Sequence, residues 1–387
     1  MRFKTLPVFL SFLVMGFGDV VGTLVGFARE QYALSATMAG LLPFLGFIAY
    51  GVLSVPTGVV ADRKGKKLVL LTGLCVTLVG FWIPVISLER YAFLLLAILL
   101  VGSGITIMQV AGNPMMRDVS APNKYSRNLT FAQFIKAIGS LSGPILTAFV
   151  VSRWTGLFPL YLAIIAVTAA GVSLLRVTER KEQGASRASL AQSFGLLKDR
   201  YVLAMVFGLF LYVGAEVGMN SWIATYLSTQ FGFDIKSWAT LGIGVFFFAL
   251  MVGRALASIV LNWISAKTFF LGTSILACIG IGGLFLQINQ WVAMACILVV
   301  GLSFASIFPL VFSILIDALP QKSNELSGLM CMAIVGGAFM PLLMGVIADA
   351  THSPMTGFLV PLASLVFIVG TAVVTVRRPS PAPAHQG

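Results

Sequence analysis

Long apolar runs separated by short polar breaks set the architecture of this chain. Twelve runs of about the ~20 residues that a helix needs to cross a bilayer lie near 6–28, 36–60, 68–87, 91–116, 128–151, 157–176, 201–228, 237–262, 268–287, 291–316, 326–349 and 356–376. Lipid offers no hydrogen-bond partner to bare backbone, so each run is predicted as a helix. The one long polar break, 177–200, divides them six and six. Within it Leu190, Phe194 and Leu197 are spaced for a short amphipathic surface helix, although a plain linker explains them equally. The pattern thus predicts an all-α membrane protein of twelve transmembrane helices in two pseudo-symmetric six-helix bundles. Their limits are 1–176 and 201–376, joined by a cytoplasmic linker at 177–200 and followed by a tail at 377–387.

Composition agrees with lipid as the solvent. The 387 residues are 58% hydrophobic and 10% charged, against about 25% charged in a soluble domain. The first run is too long for a signal-peptide core and lacks a cleavage site, so it reads as a retained span. The net charge of +12 raises the question of nucleic acid. Sorting the 25 Lys and Arg answers it, because 19 fall in loops on the side of both termini, 4 on the opposite side and 2 inside spans. By the positive-inside rule both termini are cytoplasmic, and the basic excess records orientation in a bacterial inner membrane instead of nucleic-acid binding. Cys75, Cys278, Cys296 and Cys331 are isolated, and His352 and His385 lie outside the spans, so neither a metal site nor a cofactor is expected. No nucleophile–base pair is apparent, and an enzyme is not expected.

The two halves repeat. Gly139-x4-Pro144 in span five matches Gly336-x4-Pro341 in span eleven at an offset of 197 residues, and Gly18-Asp19-Val20 stands against Ala215-Glu216-Val217 at the same offset. Asn113-Pro114 faces Phe308-Pro309 at an offset of 195. Two six-helix halves related about the membrane normal are a transporter architecture with a mid-depth substrate site. After span two comes Gly58-x3-Asp62-Arg63-Lys64-Gly65-Lys66-Lys67. It resembles the loop signature of the major facilitator superfamily, Gly-x3-Asp-Arg-x-Gly-Arg-Lys. In it Gly65 permits the tight turn, and Asp62 and Arg63 are gating or structural candidates.

Ionisable groups inside a span are expensive and face a cavity or a partner. The candidates are Asp19, Lys136, Glu216 and Arg254. Asp19 and Glu216 are repeat mates at roughly 20 Å from the cytoplasmic helix ends, at ~1.5 Å per residue. Such carboxylates can load and release a proton as access alternates, so both are proton-coupling candidates. Lys136 has Ala333 as its repeat mate, which makes the cationic site one-sided. The four also have a purely structural reading in which Lys136 neutralises Asp19 and Arg254 neutralises Glu216. Gln109 and Asn113, four apart, share a face of span four; Gln133 shares the face of Lys136, and Asn220 that of Glu216. Amides with Trp222 and Tyr226 nearby suit a sugar, whose hydroxyls need hydrogen-bond partners and whose C–H faces need an aromatic surface. Gly18-x3-Gly22-x3-Gly26 reads as a close-packing stripe.

Several segments together resemble the fucose–galactose–glucose:proton symporter family. They are Phe210-Leu211-Tyr212-Val213-Gly214-Ala215-Glu216-Val217, Gln109-Val110-Ala111-Gly112-Asn113-Pro114, Val252-Gly253-Arg254, Ile307-Phe308-Pro309 and Met332-Ala333-Ile334-Val335-Gly336-Gly337-Ala338. The resemblance implies proton-coupled sugar uptake by alternating access. It places Lys136, Gln133, Gln109, Asn113, Asn220, Trp222 and Tyr212 among the substrate contacts. Gln109 is the glutamine of glucose and galactose members, where fucose members carry glutamate. Lys136 stands where the family has a sugar-contacting asparagine, Met115 where it has tyrosine, and Asp19 lies one turn from the position of its span-one acid, Gly22. A lysine in the binding face favours an anionic ligand such as a sugar acid. The leading expectation is a monomeric, proton-coupled importer of a sugar or sugar derivative; the alternative is a proton-coupled exporter of a small metabolite or drug.

Overall fold

The computed structural model describes residues 5–17, 32–33, 36–86, 90–121, 123–152, 158–178, 189–232 and 238–378. Among these there is no β-strand. The first-half helices are α1 (Leu6–Gly16), α2 (Ala36–Lys64), α3 (Lys66–Ile86), α4 (Tyr91–Val119), α5 (Tyr125–Ser152) and α6 (Phe158–Leu174). A short α7 (Leu190–Gly195) precedes α8 (Arg200–Phe231), α9 (Trp238–Val260), α10 (Ala266–Leu284) and α11 (Gln290–Ala318). Last come α12 (Ser323–Met332), α13 (Gly336–Thr351), α14 (Pro354–Gly357) and α15 (Leu359–Arg377). Nine helical segments of the described residues are long and apolar enough to cross a membrane, and Leu6–Gly16 and Ala163–Leu174 are shorter apolar helices.

Among the described residues the helices form where the apolar runs predicted them, within a few residues at each end; the far end of span one, 18–28, lies outside them. Hydroxyls inside the spans are absorbed by the helix itself. Thr77 donates to the Gly73 carbonyl at 2.9 Å, Thr106 to Gly102 at 2.8 Å and Thr375 to Thr371 at 2.8 Å. Polar residues at the ends cap exposed amides instead. Asn289 Oδ1 accepts from the amides of Trp291 and Val292, and Asp199 Oδ1 from that of Tyr201. In the connecting segment α7 opens with a reciprocal capping box between Ser189 and Gln192. The amphipathic spacing of Leu190 and Phe194 is therefore a helix, not an extended linker.

Two local expectations change. The polar signature after span two is almost entirely helical, since α2 runs through Lys64 and α3 starts at Lys66. Asp62 and Arg63 sit in the last turns of α2, and the connection is Gly65 alone, at φ 97° with its amide on the Ala61 carbonyl at 2.9 Å. Glycine reaches that left-handed conformation without steric cost, which a chain reversal of one residue requires. The second change is in span eleven, predicted as one helix over 326–349. It is α12 and α13 separated by a 3-10 turn at Ala333–Val335. The Gly336-Gly337 pair supports the α-helix poorly at this point, and Pro341 removes a further helical donor.

The chain divides into two compact units, residues 1–196 with 323–335 and residues 197–322 with 336–387. Thus α12 packs on α2 and α4 of the first unit, and the change of allegiance falls at the 3-10 turn. Within the first unit α1 crosses α5 where a Cβ on Gly139 would run into the Leu13 carbonyl. Within the second, α8 crosses α13 where a Cβ on Gly336 would run into the Phe210 carbonyl. Leu13 and Phe210 are 197 residues apart, as are Gly139 and Gly336. The repeat seen in the sequence is therefore a repeated helix crossing.

Candidate functional site

The polar residues of the first unit converge on Gln109 of α4. Its side chain is 2% exposed. Its Oε1 accepts from the Tyr50 hydroxyl of α2 at 3.1 Å, and the Lys136 ammonium of α5 approaches the same atom at a long 3.5 Å. One turn further along α4, Asn113 is fully buried, and neither of its side-chain polar atoms has a partner. Its backbone carbonyl accepts from the buried Tyr125 hydroxyl at 3.1 Å, which fixes the base of α5 against α4. Gln133, three residues before Lys136, is also buried, and its Nε2 has no partner. Leaving a buried polar group unmade costs about 1–3 kcal/mol, so three orphaned amide atoms beside a cation mark a place prepared for a polar guest. On one side of this cluster α12 closes on α4, with Ser327 Oγ donating to the Val110 carbonyl at 2.6 Å.

In the second unit the ionisable residues are paired. Arg254 of α9 bonds Glu216 of α8 at 3.5 Å, both side chains partly exposed. This is the structural reading that the sequence left open for these two residues. Arg254 Nε has no partner, so the guanidinium is only partly satisfied. Tyr212, one turn before Glu216, is fully buried and donates to the Phe304 carbonyl at 2.8 Å. Trp222 packs into an apolar cluster with Met340, Met344 and Val360. Both aromatics were expected as ligand contacts; here Tyr212 is held by the Phe304 carbonyl and Trp222 packs against the apolar cluster. Asn220 is partly buried one turn beyond Glu216. A groove of about 450 Å³ between α8, α13 and α15 is apolar except for Ser364 and contains none of the candidate residues. Asp19 lies outside the described residues, as do Gly18, Gly22 and Gly26.

Three charged residues assigned to loops are in fact buried. Lys66, at the start of α3, is 5% exposed, and its ammonium bridges both carboxylate oxygens of Asp118 at 2.8 and 3.0 Å. Glu325, in the first turn of α12, is 2% exposed. Charge counting by loop misses such residues because helices extend past the apolar runs that define them.

This arrangement has a known family. The model of the Major Facilitator Superfamily matches residues 8–333. The chain belongs to that superfamily. It is 29% identical over 379 residues to a glucose/galactose transporter of Brucella abortus, covering 93% of this chain and 90% of that one. It is 23% identical to an L-fucose-proton symporter of Haemophilus influenzae, covering 87% of each. Such relatives support the fucose–galactose–glucose:proton symporter family indicated by the motifs of spans four, seven, ten and eleven. Among solved structures it is similar to FucP, a superfamily transporter crystallised in the outward conformation. The TM-score there is 0.84, with 17% identity, over 97% of this chain and 100% of that one. The protein is therefore an integral membrane transporter of the twelve-helix major facilitator fold, and its relatives are transporters, not enzymes.

Proposed function

We propose that the protein is a proton-coupled importer of a sugar or sugar derivative in a bacterial inner membrane, working as a monomer with both termini in the cytoplasm. The kinship with glucose/galactose transporters and fucose-proton symporters supports the sugar. The loop charges support the orientation. The observation that carries the site is the polar cluster of the first unit, where Lys136 approaches Gln109 and the buried Asn113 and Gln133, one turn away along the same two helices, keep unspent hydrogen-bonding capacity. Hydroxyl-rich ligands satisfy amides in both directions, and Lys136 favours one bearing a carboxylate. The preferred substrate is accordingly an acidic sugar or sugar derivative.

Asp19 is the proposed proton carrier. Its repeat mate Glu216 already holds Arg254, so loading a proton there forfeits an ion pair, and Glu216 acts as the switchable partner of that arginine. Asp62, Arg63 and Gly65 serve the helix end and turn at the cytoplasmic face. The test is uptake into proteoliposomes under an inward proton gradient. Asp19→Asn should abolish gradient-driven accumulation while leaving counterflow intact. Gradient-driven uptake that survives in the Asp19→Asn, Glu216→Gln double variant would remove proton coupling through these residues.

A further inference from the structure

The first-unit cluster contains a side chain that neither the sequence pattern nor the family resemblance singles out. Tyr50 stands midway along α2 in an otherwise apolar run, and its hydroxyl donates to Gln109 Oε1. Lys136 approaches that same oxygen from α5. An ammonium carries donors only, so the amide cannot be turned the other way without setting its NH2 against another donor. With Oε1 engaged by two donors, Gln109 has its Nε2 left for a ligand. The neighbouring Gln133 Nε2 is likewise buried and without a partner. Apart from Asn113, whose Oδ1 and Nδ2 are both unpartnered, the unspent groups of the cluster are donors.

We propose that Tyr50 is a specificity-determining positioning residue. Its hydroxyl locks the Gln109 amide so that the cluster presents donors, and this selects a ligand whose group at that point accepts only, a carboxylate, over one carrying a hydroxyl. The inference rests on the acidic-sugar reading above and deepens it. Without the Tyr50 bond, the single long contact from Lys136 holds the amide weakly, and the amide becomes free to offer its carbonyl to a hydroxyl.

The experiment compares uptake of galacturonate and of its parent hexose, galactose, by reconstituted wild type, Tyr50→Phe, Gln109→Ala and the double variant. Tyr50→Phe removes one oxygen from a partly buried ring, and its unfolding midpoint is measured alongside as a folding control. Loss of one hydrogen bond should lower the galacturonate-to-galactose preference by up to about tenfold. That loss should appear in KM, with the maximal rate held within about twofold. Because Tyr50 acts through Gln109, the same substitution in the Gln109→Ala background should add nothing. An unchanged preference, or an equal loss in both backgrounds, overturns the proposal. If the wild type takes galactose but not galacturonate, the acidic-sugar reading fails on its own. Tyr50 is then judged on the galactose KM: changed only where Gln109 is present, its positioning role stands; unchanged, it falls. Uptake of neither sugar sinks both.

Discussion

The two units share a helix crossing and differ in what surrounds it. In each, the first helix meets the fifth at a glycine 197 residues from its counterpart, with the same carbonyl pressed against it. Around that scaffold the first unit keeps Tyr50, Gln109 and Lys136 in one cluster with orphaned amides beside it. At the repeat offsets the chain has Phe247, Phe304 and Ala333 instead. The second unit's own polar residues are largely spent on each other, Glu216 on Arg254 and Tyr212 on the Phe304 carbonyl. Duplication thus fixed the backbone geometry, and divergence of side chains left one half with unspent polar groups and the other with internal pairing. Geometry set by close glycine contacts resists change, whereas polar residues lining a cluster are replaced one at a time.

The largest test of this contrast lies in the buried Lys66–Asp118 pair of the first unit. At the corresponding helix start in the second unit, that of α10, the chain has Ala266. Asp118→Ala leaves the Lys66 ammonium buried without its partner and should cost about 3–5 kcal/mol, read as a lower unfolding midpoint in detergent. A loss below about 1 kcal/mol would mean that water reaches the lysine. Next come the crossings. Gly139→Val and Gly336→Val should each cost about 1–3 kcal/mol or more by overpacking. Comparable losses sustain the shared crossing, while a loss in only one breaks it.

Selectivity tests the first unit alone. Lys136→Asn should shift preference from acidic toward neutral sugars by about tenfold, the equivalent of 1.4 kcal/mol, and competition assays with labelled substrate measure it. The smallest effect on folding belongs to the second unit. Glu216→Gln keeps the shape and loses one partly exposed ion pair, so the unfolding midpoint should move by no more than about 1 kcal/mol. A larger loss would make the pair a structural clamp, in place of the switchable contact proposed here.

Much of the fold was legible in the sequence. Hydropathy placed the described spans within a few residues, and the 197-residue offset located a glycine–carbonyl contact that the structure repeats. The candidate site was legible in part. Gln109, Asn113, Gln133 and Lys136 could be assigned to shared helix faces by spacing, and the Glu216–Arg254 pair was one of two readings of those charges. Tyr50 gave no signal, because a lone tyrosine in an apolar run looks the same whether it packs, anchors at an interface or bonds a glutamine. The surroundings of Tyr212 and Trp222 were hidden for the same reason, since aromatic type says nothing about which neighbour fills the space around the ring. Lys66 looked like one more positive-inside residue until Asp118, 52 positions away, was seen to meet it.

By itself the sequence determined the solvent, the spans, the repeat and the superfamily. These follow from local composition, because a backbone in lipid has no alternative to the helix and each span reports its own apolar length. Only the tertiary structure decided which polar groups meet: Tyr50 with Gln109, Lys66 with Asp118, Glu216 with Arg254, and α12 with the first unit. Each of those pairings joins helices that the chain separates by 38 or more residues, and their meeting depends on crossing points that no single span encodes.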